Sequence, residues 1–144
     1  MTEMHHPSLV KPTLNTPFHI DFAWWQKNER DYRVYLRSYL CSQHQKAFAD
    51  WEQGDDVDWV DPETAEVRSV DGLQHMLITH CARQENFITQ QTALVDSVFR
   101  TFLSNGNTPL TPLALAEQLG RQPMVILKTL AGGRVYKGLR PCLG

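Results

Sequence analysis

The sequence predicts a mainly α protein with one β-hairpin: a helical N-terminal part followed by a C-terminal three-helix helix-turn-helix. Three observations carry this. Apolar residues recur at three- and four-residue steps over much of the chain, as on the buried face of a helix. Around Asp61-Pro62 that period gives way to strict alternation, the mark of paired strands with one apolar face. Finally, Thr111 to Leu130, TPLALAEQLGRQPMVILKTL, has the spacing of two short helices joined at Gly120.

Residues 1–17 hold three prolines and no sustained period, which predicts a mobile arm. His5 and His6 belong to no larger cluster and are expected in solvent. Phe18, Ile20 and Phe22 alternate with polar residues, as in a short extended piece. From Trp25 the spacing of Tyr32, Tyr35, Leu36, Tyr39 and Leu40 predicts an amphipathic helix, with Lys27, Arg30, Arg33 and Arg37 on its wet side. A short helix over Ala47–Trp51 would end by Gly54. The hairpin, about 57–70, would turn at Asp61-Pro62-Glu63-Thr64, an acid and a proline in the first two positions of a type I turn.

Asp71 is a helix cap for Gly72 to about Cys81, with Leu73, Met76 and Leu77 inward. Ala82–Gln90 reads as a loop, so residues 18–91 form a helical region with the hairpin inside it. Residues 92–144 form the second unit. A helix opening near Thr92 carries Leu94, Val95, Val98, Phe99, Phe102 and Leu103 as one stripe and stops at Ser104-Asn105-Gly106. Thr111 then caps a helix that starts at Pro112, Gly120 takes the left-handed corner, and Pro123 starts a last helix that ends at Gly132-Gly133.

The 144 residues suffice for one core, and 42% apolar with 21% charged is ordinary globular material. Three cysteines without a charged-then-apolar opening stretch point to reduced thiols and a cytoplasmic protein rather than a disulfide framework. No apolar run approaches the ~18 residues of a membrane span. The net charge of −2 hides an uneven distribution. Nine acids lie between Asp50 and Asp71, and the stretch after Glu117 has no acid but carries Arg121, Lys128, Arg134, Lys137 and Arg140. A local basic face sets the field that a polyanion meets.

Two constellations bear on function. Cys41-x-x-His44 puts two ligand side chains on one side of a helical turn. His80-Cys81 supplies a second pair, so Cys41, His44, His80 and Cys81 together would make the closed nitrogen-and-sulfur set of a structural zinc site. Adjacent residues of a helix diverge by ~100°, so this pair converges only if the helix unwinds at His80; His75 is the substitute otherwise. No nucleophile elbow, phosphate loop, dinucleotide fingerprint or HExxH is present, which argues against an enzyme.

The second constellation, LALAEQLGRQPMVILKTL, resembles the helix-turn-helix of the winged-helix and related DNA-binding superfamily, and GGRVYKGLRPCLG is similar to its short basic wing or a terminal strand. The resemblance covers about residues 92–144. It implies that the helix from Pro123 is the recognition element in the major groove of duplex DNA, as in a transcription regulator or accessory factor, and that the wing touches backbone. Arg121, Gln122, Lys128, Arg134, Lys137 and Arg140 are the expected contacts, with DNA favoured over RNA and a homodimer expected to enlarge the interface. Met124 and Val125 on that helix support the alternative of a protein-interaction adaptor clipped by zinc.

Overall fold

A computed structural model describes residues 11–47, 56–60, 63–132 and 134–142. Among them are a short strand β1 (Phe18–Ile20), helices α1 (Phe22–Asn28), α2 (Tyr32–Ser38) and α3 (Ser42–Ala47), and the hairpin strands β2 (Asp56–Val60) and β3 (Val67–Asp71). Helix α4 (Gly72–Thr79), a 3-10 turn (Cys81–Arg83), helices α5 (Leu94–Ser104), α6 (Pro112–Leu119) and α7 (Pro123–Leu130), and strand β4 (Leu139–Pro141) complete the order. The architecture is mainly α with one β-hairpin, as the periodicities predict.

The starts of α1, α4, α6 and α7 have a local physical cause. The Asp21 carboxylate accepts from the Trp24 N–H, Asp71 from Gln74 and the Thr111 hydroxyl from Ala114, satisfying amide groups that a helix N-terminus leaves open. Pro112 and Pro123 stand at first helical positions, where a missing N–H costs nothing. Gly120 turns α6 into α7 at φ 65°.

The single aromatic helix expected from Trp25 to Leu40 is instead two. Helix α1 stops at Asn28, and Glu29 is extended at φ −126°, ψ 114°. The break brings Trp25 and Tyr32 edge to face at 4.9 Å between ring centres, while Phe99 of α5 meets Trp25 at 5.3 Å. Tyr35, expected inside, lies on the rim at 39% exposure, stacked 6.3 Å from Trp25. Arg33, expected on the wet side, pairs with Asp71 at 2.6 Å and thereby links α2 to the N-terminus of α4.

The hairpin pairs Val57 with Val70 and Val60 with Val67. Asp61-Pro62, the expected corner, lies outside the described residues, as do His5, His6 and the Phe48–Trp51 part of the expected short helix. Residues 11–17 of the expected mobile arm are described. Thr13 and Thr16 close a turn by hydrogen bonding, and the Leu14 carbonyl accepts from the Leu113 N–H at 3.4 Å.

Strand β4 returns across the molecule and pairs antiparallel with β1, Ile20 opposite Leu139. The segment after Gly133 is thus a terminal strand on the N-terminal region. Asn107 completes the closure: its Oδ1 accepts from the Ile20 N–H and its Nδ2 donates to the Ile20 carbonyl, both at 2.8 Å. One core of Phe18, Ile20, Trp25, Leu36, Leu73, Leu77, Phe99, Phe102, Leu115, Ile126 and their neighbours runs through both halves of the chain.

Closure imposes a steric condition on Gly138. Its φ is +77°, and a Cβ there would stand 2.9 Å from the Asp21 carbonyl oxygen and 2.9 Å from the Trp25 Cβ. Gly120 shares the left-handed backbone but has nothing within 4 Å. Gly138→Ala is therefore expected to cost roughly 2–4 kcal/mol, left-handed strain plus an overpacked contact, whereas Gly120→Ala costs about 1–2 kcal/mol from strain alone. Urea unfolding of the two variants distinguishes them; equal midpoint shifts would contradict the close approach at Gly138.

Candidate metal centre

Cys41 follows the buried pair Tyr39 and Leu40 and immediately precedes α3, on whose first turn His44 stands. The Cys41 carbonyl accepts from the N–H groups of His44 and Gln45, at 3.0 and 2.8 Å. That turn brings His44 Nδ1 to 3.2 Å from Cys41 Sγ. The other pair comes from the end of α4. The helix stops at Thr79, and His80 leaves it at φ −126°, ψ −64°, after which Cys81 opens the 3-10 turn. This unwinding is the condition on which adjacent His80 and Cys81 can converge.

They do converge. Cys81 Sγ lies 3.5 Å from Cys41 Sγ and 3.3 Å from His44 Nδ1, and His80 Nδ1 lies 3.9 Å from Cys41 Sγ. All four ligand atoms fall within 4.8 Å of one another. The imidazoles of His44 and His80 meet edge to face at 4.4 Å. His75, the substitute ligand, is not in the group. The four expected ligands thus form one cluster able to hold a metal ion.

Burial disfavours charge on two of the four ligands. Burial holds His44 below the ordinary histidine value, and neighbouring His80 adds to the effect. Burial also pushes the Cys81 thiol up to about 11, with Cys41 beside it. A divalent cation would take the neutral imidazole as it stands and would reverse only the preference of the thiol, whose proton it displaces.

A second polar group, which no sequence pattern marks, centres on Asp96. Burial works to raise its carboxyl, but hydrogen bonds from Tyr39 (2.6 Å) and Arg100 (2.7 Å), with the charges of Arg100 and Lys137, hold it below the ordinary value. Burial and the Asp96 hydrogen bond raise the Tyr39 phenol well above its usual range. Lys137 donates to the Tyr39 hydroxyl, stands 3.9 Å from Asp96, and lies 5.0 to 5.8 Å from the ring centres of Tyr35, Tyr39 and Phe99. Desolvation lowers its pKa, Asp96 opposing and Arg100 assisting.

The expected nucleic-acid contacts therefore divide. Arg121, Gln122, Lys128 and Arg134 are exposed, Arg121 reaching only the Thr92 carbonyl at 3.5 Å. Lys137 is taken up by Asp96 and Tyr39. Arg140 pairs with Asp21 at 3.0 Å and lies over the Trp24 ring. Sequence distance hid both pairings: Arg140 and Asp21 are 119 residues apart.

No helix among the described residues is long and apolar enough to cross a membrane. Compared with protein families, curated proteins and solved structures, the chain matches none.

If the cluster is a metal centre, the purified chain carries one metal ion, Cys41→Ser loses it and Cys142→Ser keeps it; elemental analysis of the three proteins reads this. Displacing two thiol protons also makes apparent metal affinity near pH 7 fall about a hundredfold per pH unit of acidification. Competition with a chelator across pH measures that slope, and a flat profile would exclude thiolate ligation.

Proposed function

We propose that Cys41, His44, His80 and Cys81 hold one zinc ion as a closed structural site, and that the protein it braces binds nucleic acid, duplex DNA before RNA. A tetrahedral zinc with sulfur at about 2.3 Å and nitrogen at about 2.0–2.1 Å spaces two sulfurs about 3.8 Å apart and a sulfur and a nitrogen about 3.6 Å apart. Four of the six ligand pairs lie 3.2 to 3.9 Å apart, near that figure, and all lie within 4.8 Å. Four protein ligands leave no open position, so the ion's work is mechanical: it ties α3 to the end of α4.

The observation that carries the nucleic-acid reading is the outer face of α7. Ile126 and Leu130 seat the helix in the core, while Gln122 and Lys128 face solvent, with Arg121 before it and Arg134 after it. No acid stands on α7 to oppose a phosphate. Lysine and arginine contacts of this kind position a protein on the duplex, and Gln122 is the one amide available for reading a base edge. A homodimer would double this small footprint, as suits a regulatory or accessory factor.

A second reading has its own observation. Met124 and Val125 are 49% and 50% exposed on the same helix, and Leu113 on α6 is 43% exposed. Apolar side chains grouped in this way suit a protein partner, which makes the zinc-braced chain an adaptor.

Salt separates the readings. Three phosphate contacts, from Arg121, Lys128 and Arg134, give a log–log slope of affinity against salt of about −2.7, and Lys128→Ala with Arg134→Ala reduces it by about 1.8. Fluorescence anisotropy with a labelled random duplex between 50 and 200 mM salt is the measurement. Absence of binding at low salt favours the adaptor. Arg140→Ala serves as the contrast: it is expected to lower stability through loss of the Asp21 pair.

A further inference from the structure

Resting on the metal reading, we infer that Cys41 and Cys81 are also an oxidation site: a hydroperoxide converts them to a disulfide and expels the ion. Their sulfurs are 3.5 Å apart, and a disulfide needs about 2.05 Å. Closing that gap takes about 1.5 Å, within reach of side-chain rotation at two residues that lie outside α-helix, one before α3 and one on a 3-10 turn.

The pair is also accessible. Cys41 and Cys81 both line a surface cavity of about 390 Å³, together with Ser38, Gln84, Asn86 and Arg100. Cys41 is half-buried and Cys81 is 1% exposed, so a small oxidant meets Cys41 first. The third cysteine is excluded by the fold: Cys142 follows β4, where its N–H donates to the Pro17 carbonyl. The two histidines cannot take part in sulfur oxidation, so the cluster holds one reactive pair and no more.

The step balances. The Cys41 thiolate attacks the peroxide O–O bond, forming a sulfenic acid and releasing hydroxide, which takes a proton to become water. The Cys81 thiolate then attacks the Cys41 sulfur, the S–S bond forms, and a second hydroxide leaves as water. Two electrons pass from the two sulfurs to one hydrogen peroxide. The ion, left with His44 and His80 alone, departs. The covalent link then joins the same two segments that the ion had joined, so the oxidised chain keeps its connection between α3 and the end of α4.

The test uses the full zinc-loaded chain treated with hydrogen peroxide, with released zinc read by a chromophoric chelator, thiols by titration and the linkage by peptide mass. The expected result is one zinc released per two thiols lost, a Cys41–Cys81 linked peptide lighter by two hydrogens, and recovery on adding dithiothreitol and zinc. Cys142→Ser is expected to behave identically. Zinc retained with both thiols intact, or a bridge that includes Cys142, overturns the inference and leaves the metal reading standing. A Cys41–Cys81 disulfide in a chain that never held zinc supports the pairing and overturns the metal reading instead.

Discussion

The contact between Cys41 and Cys81 is the constraint that ties the segment before α3 to the end of α4. It joins residues forty positions apart, across the hairpin, and it requires that α4 stop where it does. One more helical residue would swing His80 about 100° from Cys81 around the axis and dissolve the cluster. Packing supports the stop. Leu73 and Leu77 bury one face of α4, and Cys81 and Ala82 are buried beyond its end, so the chain turns inward instead of continuing outward. By itself a group of two thiols and two imidazoles contributes little to such a core. With an ion it contributes folding energy outright, because the unfolded chain has no preformed site.

Closure of the chain by β4 on β1 is the second organising contact, and it redistributes charge. Five basic residues follow Glu117, yet Lys137 and Arg140 are drawn to Asp96 and Asp21 by the path of the returning strand. Half-buried pairs of this kind contribute mainly by satisfying groups that would otherwise lose water without compensation. What remains for a partner is narrower than the sequence count implies: Arg121, Lys128 and Arg134, with Gln122 among them.

Much of this was legible beforehand, and the reasons differ by element. Helix α6 and the start of α7 were readable to the residue because Thr111, Pro112, Gly120 and Pro123 each impose a local backbone requirement. The hairpin showed in its alternation. The cluster of Cys41, His44, His80 and Cys81 was readable from residue type and spacing, including the unwinding at His80 that their convergence demands. The break between α1 and α2 was not, because Glu29, Arg30 and Asp31 are all permissible in a helix; it is tertiary packing of Trp25 on Tyr32 and Phe99 that selects the bend. The partners of Arg33, Lys137 and Arg140 were equally hidden, since an exposed and a paired basic residue look alike in a sequence and their acids lie 38 to 119 positions away.

The two organising contacts meet at Tyr39. Its ring packs on Phe99 at 4.9 Å, its hydroxyl donates to Asp96 and accepts from Lys137, and Cys41 lies two residues further along the chain. The segment that places the first residue of the cluster is therefore the one that holds Lys137, just before β4. Lys137 holds φ 44°, a left-handed value that a lysine adopts only when its surroundings over-determine it. Here the over-determination is visible: Gly138 lies against Asp21 and Trp25 on one side, and the Lys137 ammonium is fixed by Tyr39 and Asp96 on the other. Arg134, three residues before, belongs to the proposed contact surface. The four-ligand cluster and that proposed surface are thus linked through Tyr39 and Lys137, by part-buried hydrogen bonds between them and by short stretches of backbone on either side.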